Sequence, residues 1–88
     1  MIGVDLTIVE KILNDYPLLE TVLQGGIVSK KMCRELLEID RATMDKIYSD
    51  LILAQAVMGT SSSCFKAKSD TIKYLRERRR KRNESESN

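Results

Sequence analysis

The sequence contains no histidine and no tryptophan, and it has one proline and one phenylalanine among 88 residues. Without histidine, Ser-His and Cys-His catalysis and every histidine metal site are excluded. The two cysteines, Cys33 and Cys64, are too few to form a structural zinc site without histidine. We therefore expect no enzymatic activity, no cofactor and no bound metal.

Long apolar runs are absent as well. No stretch of the sequence approaches the roughly 18–20 apolar residues that a membrane span needs, and the N-terminus lacks the basic and apolar regions of a signal peptide. We expect a cytoplasmic protein without a membrane partner, in which both thiols stay reduced. Cys33 lies in an apolar helical pattern and is expected in the core, whereas Cys64 lies beside a serine-rich loop and is expected to be more exposed.

The net charge of +2 hides an uneven distribution. Residues 1–65 carry six Lys/Arg and nine Asp/Glu, whereas residues 66–82 carry nine Lys/Arg and two Asp/Glu. Five arginines fall within the seven residues 76–82. Concentrated positive charge is typical of a polyanion-binding surface, because each neutralised phosphate releases counterions. We expect residues 1–75 to form one domain and residues 76–88 a basic and then polar tail.

Apolar spacing and capping residues predict five helices. They are a helix capped by Asp5 with apolar residues from Leu6 to Leu13, a short helix Leu18–Gln24 after Pro17, a helix Lys30–Glu38 capped by Ser29, a helix from Arg41 to about Gln55 capped by Asp40, and a last helix capped by Ser69. We expect the last helix to fray beyond Arg80 and residues 84–88 to be disordered. The predicted inward-facing side chains of the third and fourth helices are Met32, Cys33, Leu36, Leu37, Met44, Ile47, Tyr48, Leu51 and Ile52.

Two short apolar segments follow the fourth helix. Ala56-Val57-Met58 and Cys64-Phe65-Lys66-Ala67 flank a loop of glycine, threonine and serine at 59–63. This pattern predicts a β-hairpin. The expected fold is therefore mainly α: a small tri-helical helix-turn-helix core with a short β-hairpin wing and a basic C-terminal helix.

The third and fourth predicted helices are joined by Glu38-Ile39-Asp40, which fits a helix-turn-helix arrangement. An apolar residue in the turn would hold the two helices together, and the Asp40 cap would begin the second helix. The side chains expected to point outward from the second helix are Arg41, Thr43, Asp45, Lys46 and Ser49.

The stretch from Val28 to Val57 resembles the winged helix-turn-helix regulators of bacteria and phages. The resemblance is carried by Val28-Ser29, the run from Glu35 to Met44, Asp50-Leu51 and the run from Ala54 to Val57, with Glu38 and Gln55 where the family commonly has glycine. It implies base or phosphate contacts from Arg41, Thr43 and Lys46. It also implies wing contacts from Thr60, Ser61, Ser62, Ser63 and Lys66.

We predict a small sequence-specific protein that binds double-stranded DNA, a transcriptional regulator of phage or mobile-element type. The remaining predicted DNA-binding residues are Ser49, Lys68, Lys73, Arg76, Arg78, Arg79, Arg80, Lys81 and Arg82. A homodimer would suit so small a domain, and the apolar segments 6–13 and 18–23 are the expected dimer surface. Two alternatives stay open: a protein–protein adaptor with a non-specific nucleic-acid-binding tail, and the DNA-recognition subunit of a phage packaging complex.

Overall fold

The computed structural model describes residues 3–86, with side chains described as far as residue 84. In chain order its elements are α1 (Leu6–Asp15), α2 (Leu18–Gln24), β1 (Val28–Ser29), α3 (Lys30–Leu37), α4 (Arg41–Leu53), β2 (Val57–Gly59), β3 (Cys64–Ala67) and α5 (Ser69–Glu86). The expected fold is confirmed: a mainly helical domain holds a helix-turn-helix pair, a hairpin and a C-terminal helix.

Three of the helices begin at the polar residues predicted to cap them. The Asp5 carboxylate accepts from the Thr7 amide at 3.1 Å, and the Ser29 hydroxyl accepts from the amide three residues later at 2.9 Å. The Asp40 carboxylate accepts from the Thr43 amide at 2.8 Å. Each cap satisfies a backbone N–H that has no partner within its own helix. The starts of α1, α3 and α4 are therefore fixed by local sequence.

A three-stranded antiparallel sheet has the order β1-β3-β2. The predicted hairpin is β2 and β3, in which Met58 pairs with Lys66. The strand β1 was not predicted, because its two residues gain strand geometry only by pairing with Phe65 and Cys64 across the sheet. This pairing brings the start of α3 to the wing, where the Lys30 amide donates to the Ser63 carbonyl at 2.8 Å.

The turn between α3 and α4 closes as a Schellman motif. The Ile39 amide donates to the Arg34 carbonyl at 3.1 Å and the Glu38 amide to the Glu35 carbonyl at 3.2 Å. Glu38 adopts the left-handed conformation that this motif requires, with φ at 56°. Half-buried Ile39 packs against the core, as the helix-turn-helix interpretation requires.

The core lies between the helices and the inner face of the sheet. Its largest fully buried side chains include Phe65, Leu13, Leu19, Met44 and Leu51. Segments 6–13 and 18–23 supply several of these core residues, which leaves only Leu6 and Leu18 among their large apolar side chains exposed.

Three side chains predicted to face inward do not. Met32 and Leu36 of α3 are 57% and 51% exposed, and Ile52 of α4 is 40% exposed. Helix α3 packs against α2 and α4 through a narrow stripe, in which Cys33 is fully buried and Leu37 half-buried. Met32 and Leu36 lie outside that stripe, and Ile52 lies on the exposed side of the last turn of α4. The prediction that Cys33 is a core residue is confirmed, and Cys64 is half-buried.

Helix α5 runs without interruption from Ser69 to Glu86, so the prediction that it frays beyond Arg80 is wrong. Ion pairs explain its length: Arg78 and Arg82 bind carboxylates on α1 and α2, and Arg80 bridges two glutamates of its own helix. The predicted disorder of residues 84–88 fails for 84–86, which are helical, while residues 87 and 88 lie outside the described chain.

Candidate nucleic-acid interface

Helix α4 presents one exposed face built from small and charged side chains. Ala42, Asp45, Lys46 and Ser49 are exposed on this face. Met44, Ile47 and Leu51 are buried on the opposite side and hold the helix against the core. Because the Asp40 cap begins α4 cleanly, its first two turns are presented to solvent in a fixed orientation.

The wing lies along one side of this face. Half-buried Tyr48 packs edge-on against Phe65 of β3, with ring centroids 5.4 Å apart. The Lys30 ammonium sits 3.9 Å from the centre of the same tyrosine ring, a cation–π contact. A Cβ on Gly59 would lie 3.1 Å from the Tyr48 hydroxyl, so glycine lets β2 approach this closely. Tyr48 thereby fixes α3, α4 and the wing to one another.

Helix α1 lies along the other side of α4. A groove of about 370 Å³ between the two helices is lined by Thr43, Lys46 and Asp50 together with side chains of α1. Lys46 pairs with Asp50 at 3.1 Å, in a largely exposed contact. Thr43 is half-buried in this groove, so it does not share the outward face with Asp45 and Ser49, contrary to the expectation from sequence.

A cleft lined mainly by cations opens where α3 and α4 begin. It has a volume of about 430 Å³, and its lining residues are Lys30, Lys31, Arg34, Arg41, Met44 and Asp45. Of the four cations in this lining, only Arg41 was predicted from sequence to contact DNA. The other three cations were overlooked because residues 1–65 are acidic in sum. The available signal was local: half of the six cations in residues 1–65 fall at positions 30–34, directly after the Ser29 cap. We call these four cations the cation cleft.

The wing loop closes through a backbone hydrogen bond from the Thr60 amide to the Cys64 carbonyl at 3.0 Å. Its predicted contact residues Thr60, Ser61, Ser62 and Ser63 are all exposed, as is Lys66 on β3. Lys68 is half-buried and donates to the Gln55 side chain at 3.0 Å. The wing therefore offers hydroxyl groups at its tip and one exposed cation on its strand.

The basic residues of α5 divide into two groups. Arg78 binds Glu10 at 3.0 Å and Glu20 at 2.7 Å, and Arg82 binds Glu20 at 3.0 Å. Arg80 pairs with two glutamates of α5 itself. The side chains of the other four predicted contact residues are exposed and make no hydrogen bond or ion pair with the described residues; they are Lys73, Arg76, Arg79 and Lys81.

The pKa shifts follow these contacts. The Arg78 hydrogen bond, followed by that of the Tyr74 hydroxyl, lowers the pKa of the Glu10 carboxyl. Burial acts to raise the pKa of Glu20, but hydrogen bonds from Arg82 and Arg78 outweigh it, so the net pKa is lowered. These two carboxylates lie under the C-terminal helix and not at the cation cleft. Their ion pairs are structural.

Burial also raises the pKa of the Cys33 thiol, to about 11. A thiol with so high a pKa is almost entirely protonated at neutral pH and is therefore a poor nucleophile. Among residues 3–86, no three side chains of Cys, Asp and Glu come together as a group able to hold a metal ion. No helix in the same range is both long and apolar enough to cross a membrane.

No family model matches the chain, and neither a curated protein nor a solved structure matches it.

Proposed function

We propose that this protein binds double-stranded DNA, reads the major groove with the outward face of α4, and acts as a transcriptional regulator of phage or mobile-element type. The observation that carries the proposal is the cation cleft, which lies at the start of α4 and next to the wing. In helix-turn-helix proteins the N-terminal part of the second helix enters the major groove. Positive charge beside that part of the helix meets the phosphates that flank the groove.

The roles of the residues follow from their positions. Lys30, Lys31, Arg34 and Arg41 would contact phosphates and so set the register of α4 on the duplex. Ala42, Asp45, Lys46 and Ser49 would face the base edges. The hydroxyls of 60–63 and the Lys66 ammonium would contact the neighbouring backbone. The acidic sum of residues 1–65 does not oppose this arrangement, because the charge that a duplex meets is local.

Helix α5 begins at the other end of the hairpin from the cation cleft. The Lys30 amide is bonded at the wing loop, whereas the Lys68 amide and the Thr71 hydroxyl donate to the Ala56 carbonyl at the base of the hairpin. We infer that Arg76 and Arg79, exposed further along α5, attract a polyanion without taking part in reading its bases.

Binding to a labelled duplex of random sequence, followed by fluorescence anisotropy at several salt concentrations, tests the proposal. We compare the wild type with two double variants that each remove two positive charges, Lys31→Gln with Arg41→Gln and Arg76→Gln with Arg79→Gln. The cleft variant should lower the salt-dependence slope by about 0.9 per lost phosphate contact. Far-UV circular dichroism checks that both variants stay folded.

The possible results separate the hypotheses. Absence of wild-type binding at low salt would remove the proposal. If only the α5 variant weakens binding, α4 does not enter the groove, and an adaptor with a non-specific basic tail becomes the better description.

A further inference from the structure

We infer that Asp45 is the residue through which α4 selects sequence, by accepting a hydrogen bond from the exocyclic amine of a cytosine. The inference rests on the proposed duplex binding and names a specificity-determining residue within it. Three acidic side chains, Asp40, Asp45 and Asp50, lie at and within α4 and have different surroundings.

Two of the three carboxylates have structural partners. Asp40 caps the helix through the Thr43 amide, and hydrogen bonding to the Thr43 side chain, followed by that to the Thr43 amide, lowers the pKa of the Asp40 carboxyl. Asp50 pairs with Lys46 on the side of α1. Asp45 is exposed and its side chain makes no hydrogen bond or ion pair with the described residues, although it lines the cation cleft. The carboxylate of Asp45 therefore has no partner among residues 3–86.

An unpaired carboxylate at a phosphate-binding surface weakens binding to every duplex, because it repels the backbone. The loss is recovered only where the carboxylate meets a donor. In the major groove cytosine presents the N4 amine alone, adenine presents its N6 amine beside the N7 acceptor, and guanine and thymine present acceptors at their edges. A carboxylate acceptor therefore favours cytosine and is repelled by the acceptors of the other bases.

The position of Asp45 suits this role. It lies four residues after Arg41, which is about 6 Å along the helix axis and spans about two base-pair steps. Its neighbours on the outward face include Ala42 and Ser49, whose small side chains let the helix backbone approach the base edges. Arg41 can meet a phosphate or a guanine while Asp45 meets a cytosine nearby.

The test is selection of bound duplexes from a randomised library by the full chain, comparing the wild type with Asp45→Asn and Asp45→Ala. The wild type should select cytosine at one position of each site. The asparagine variant should select adenine there, since an amide pairs with the N6 and N7 groups of adenine. The alanine variant should lose the preference, bind random duplex several-fold more tightly, and retain roughly one-tenth of the advantage of the selected site.

Asp70→Asn is the matched control, since it removes one exposed negative charge at the start of α5. It should leave the selected sequence unchanged, and a shift in this variant would overturn the inference by showing that general charge sets the preference. If the wild type binds and both Asp45 variants select the same bases as the wild type, the role of Asp45 is overturned. Binding by the wild type with no selected base at all would overturn it too. Absence of wild-type binding would instead remove the proposed function itself.

Discussion

Two residues other than glycine hold left-handed backbone conformations, Glu38 with φ at 56° and Gln55 with φ at 62°. Both end a helix in the same way. At Gln55 the Ala56 amide donates to the Leu51 carbonyl at 2.9 Å and the Gln55 amide to the Ile52 carbonyl at 3.0 Å, which repeats the Schellman motif of the turn at Glu38. These are the two positions at which the resemblance to winged regulators leads one to expect glycine. The left-handed conformation is kept at both positions although neither residue is glycine, so the backbone at each site is strained.

Replacing Glu38 with glycine should therefore stabilise the protein. We expect a gain of about 0.5 kcal/mol in the free energy of unfolding, since relief of the left-handed strain exceeds the added flexibility of the unfolded chain. Urea denaturation followed by circular dichroism measures this. Glu35→Gly, three residues earlier in the right-handed body of α3, is the control and should lose about 1 kcal/mol. Equal losses in the two variants would contradict the strain at Glu38.

The basic residues of α5 have a structural as well as an electrostatic role. Arg78 and Arg82 lie one turn apart and face the body, where Glu20 is only 6% exposed. Arg78 also donates to Asn14 at 3.2 Å. Three helices are therefore joined at one arginine, and the exposed cations of α5 gain a fixed position from it.

Arg78→Gln should destabilise the fold by about 2 kcal/mol, because it leaves the buried Glu20 carboxylate with only one cationic partner. The figure lies below that for a fully buried pair since the Arg78 and Glu10 side chains are 23% and 39% exposed. Arg79→Gln, one residue further along on the exposed side, should change stability by less than about 0.5 kcal/mol. Urea midpoints compare the two, and similar losses in both would show that Arg78 has no special structural role.

What the sequence predicts well is what local chemistry decides. The caps Asp5, Ser29 and Asp40 and the hairpin at 57–67 depend on neighbouring residues, and their positions were predicted closely. The partners of Arg78 lie 58 and 68 residues away along the chain, so no local pattern reveals them. The two-residue strand β1 depends on distant pairing in the same way.

The candidate site was predictable only in part for the same reason. Arg41 follows a recognisable helix cap, so its position at the start of the second helix could be predicted from the sequence. The role of Lys30 and Lys31 depends on how α3 approaches α4 and the wing, and a charge count over a long segment conceals it. Thr43 has a suitable spacing, yet the packing of α1 against α4 draws it into a groove.

For the whole molecule, the lowered pKa values of Glu10 and Glu20 predict sensitivity to acid. In the folded state the pKa of both carboxyls lies below the ordinary value of 4.5. Between the folded pKa and that ordinary value, the unfolded chain therefore binds more protons than the folded protein. Their contribution to stability is present above about pH 4.5. It is lost as the pH falls through the folded values.

Thermal unfolding followed at several pH values between 7 and 3 should show this loss as a falling melting temperature. The Arg78→Gln variant should show a shallower fall, because the pKa values of Glu10 and Glu20 are lowered less without the Arg78 guanidinium. A melting temperature of the wild type that stays constant down to pH 3 would contradict the proposed linkage.

The anchoring of α5 has a practical consequence for anyone shortening the chain. A protein cut before residue 76 would lose the ion pairs of Arg78 and Arg82 with α1 and α2 along with the exposed cations Arg76, Arg79 and Lys81. Weak DNA binding by such a fragment would mix impaired folding with missing phosphate contacts. Single replacements at Arg76 or Arg79 keep the ion pairs of Arg78 and Arg82 and so measure the electrostatic contribution to DNA binding by itself.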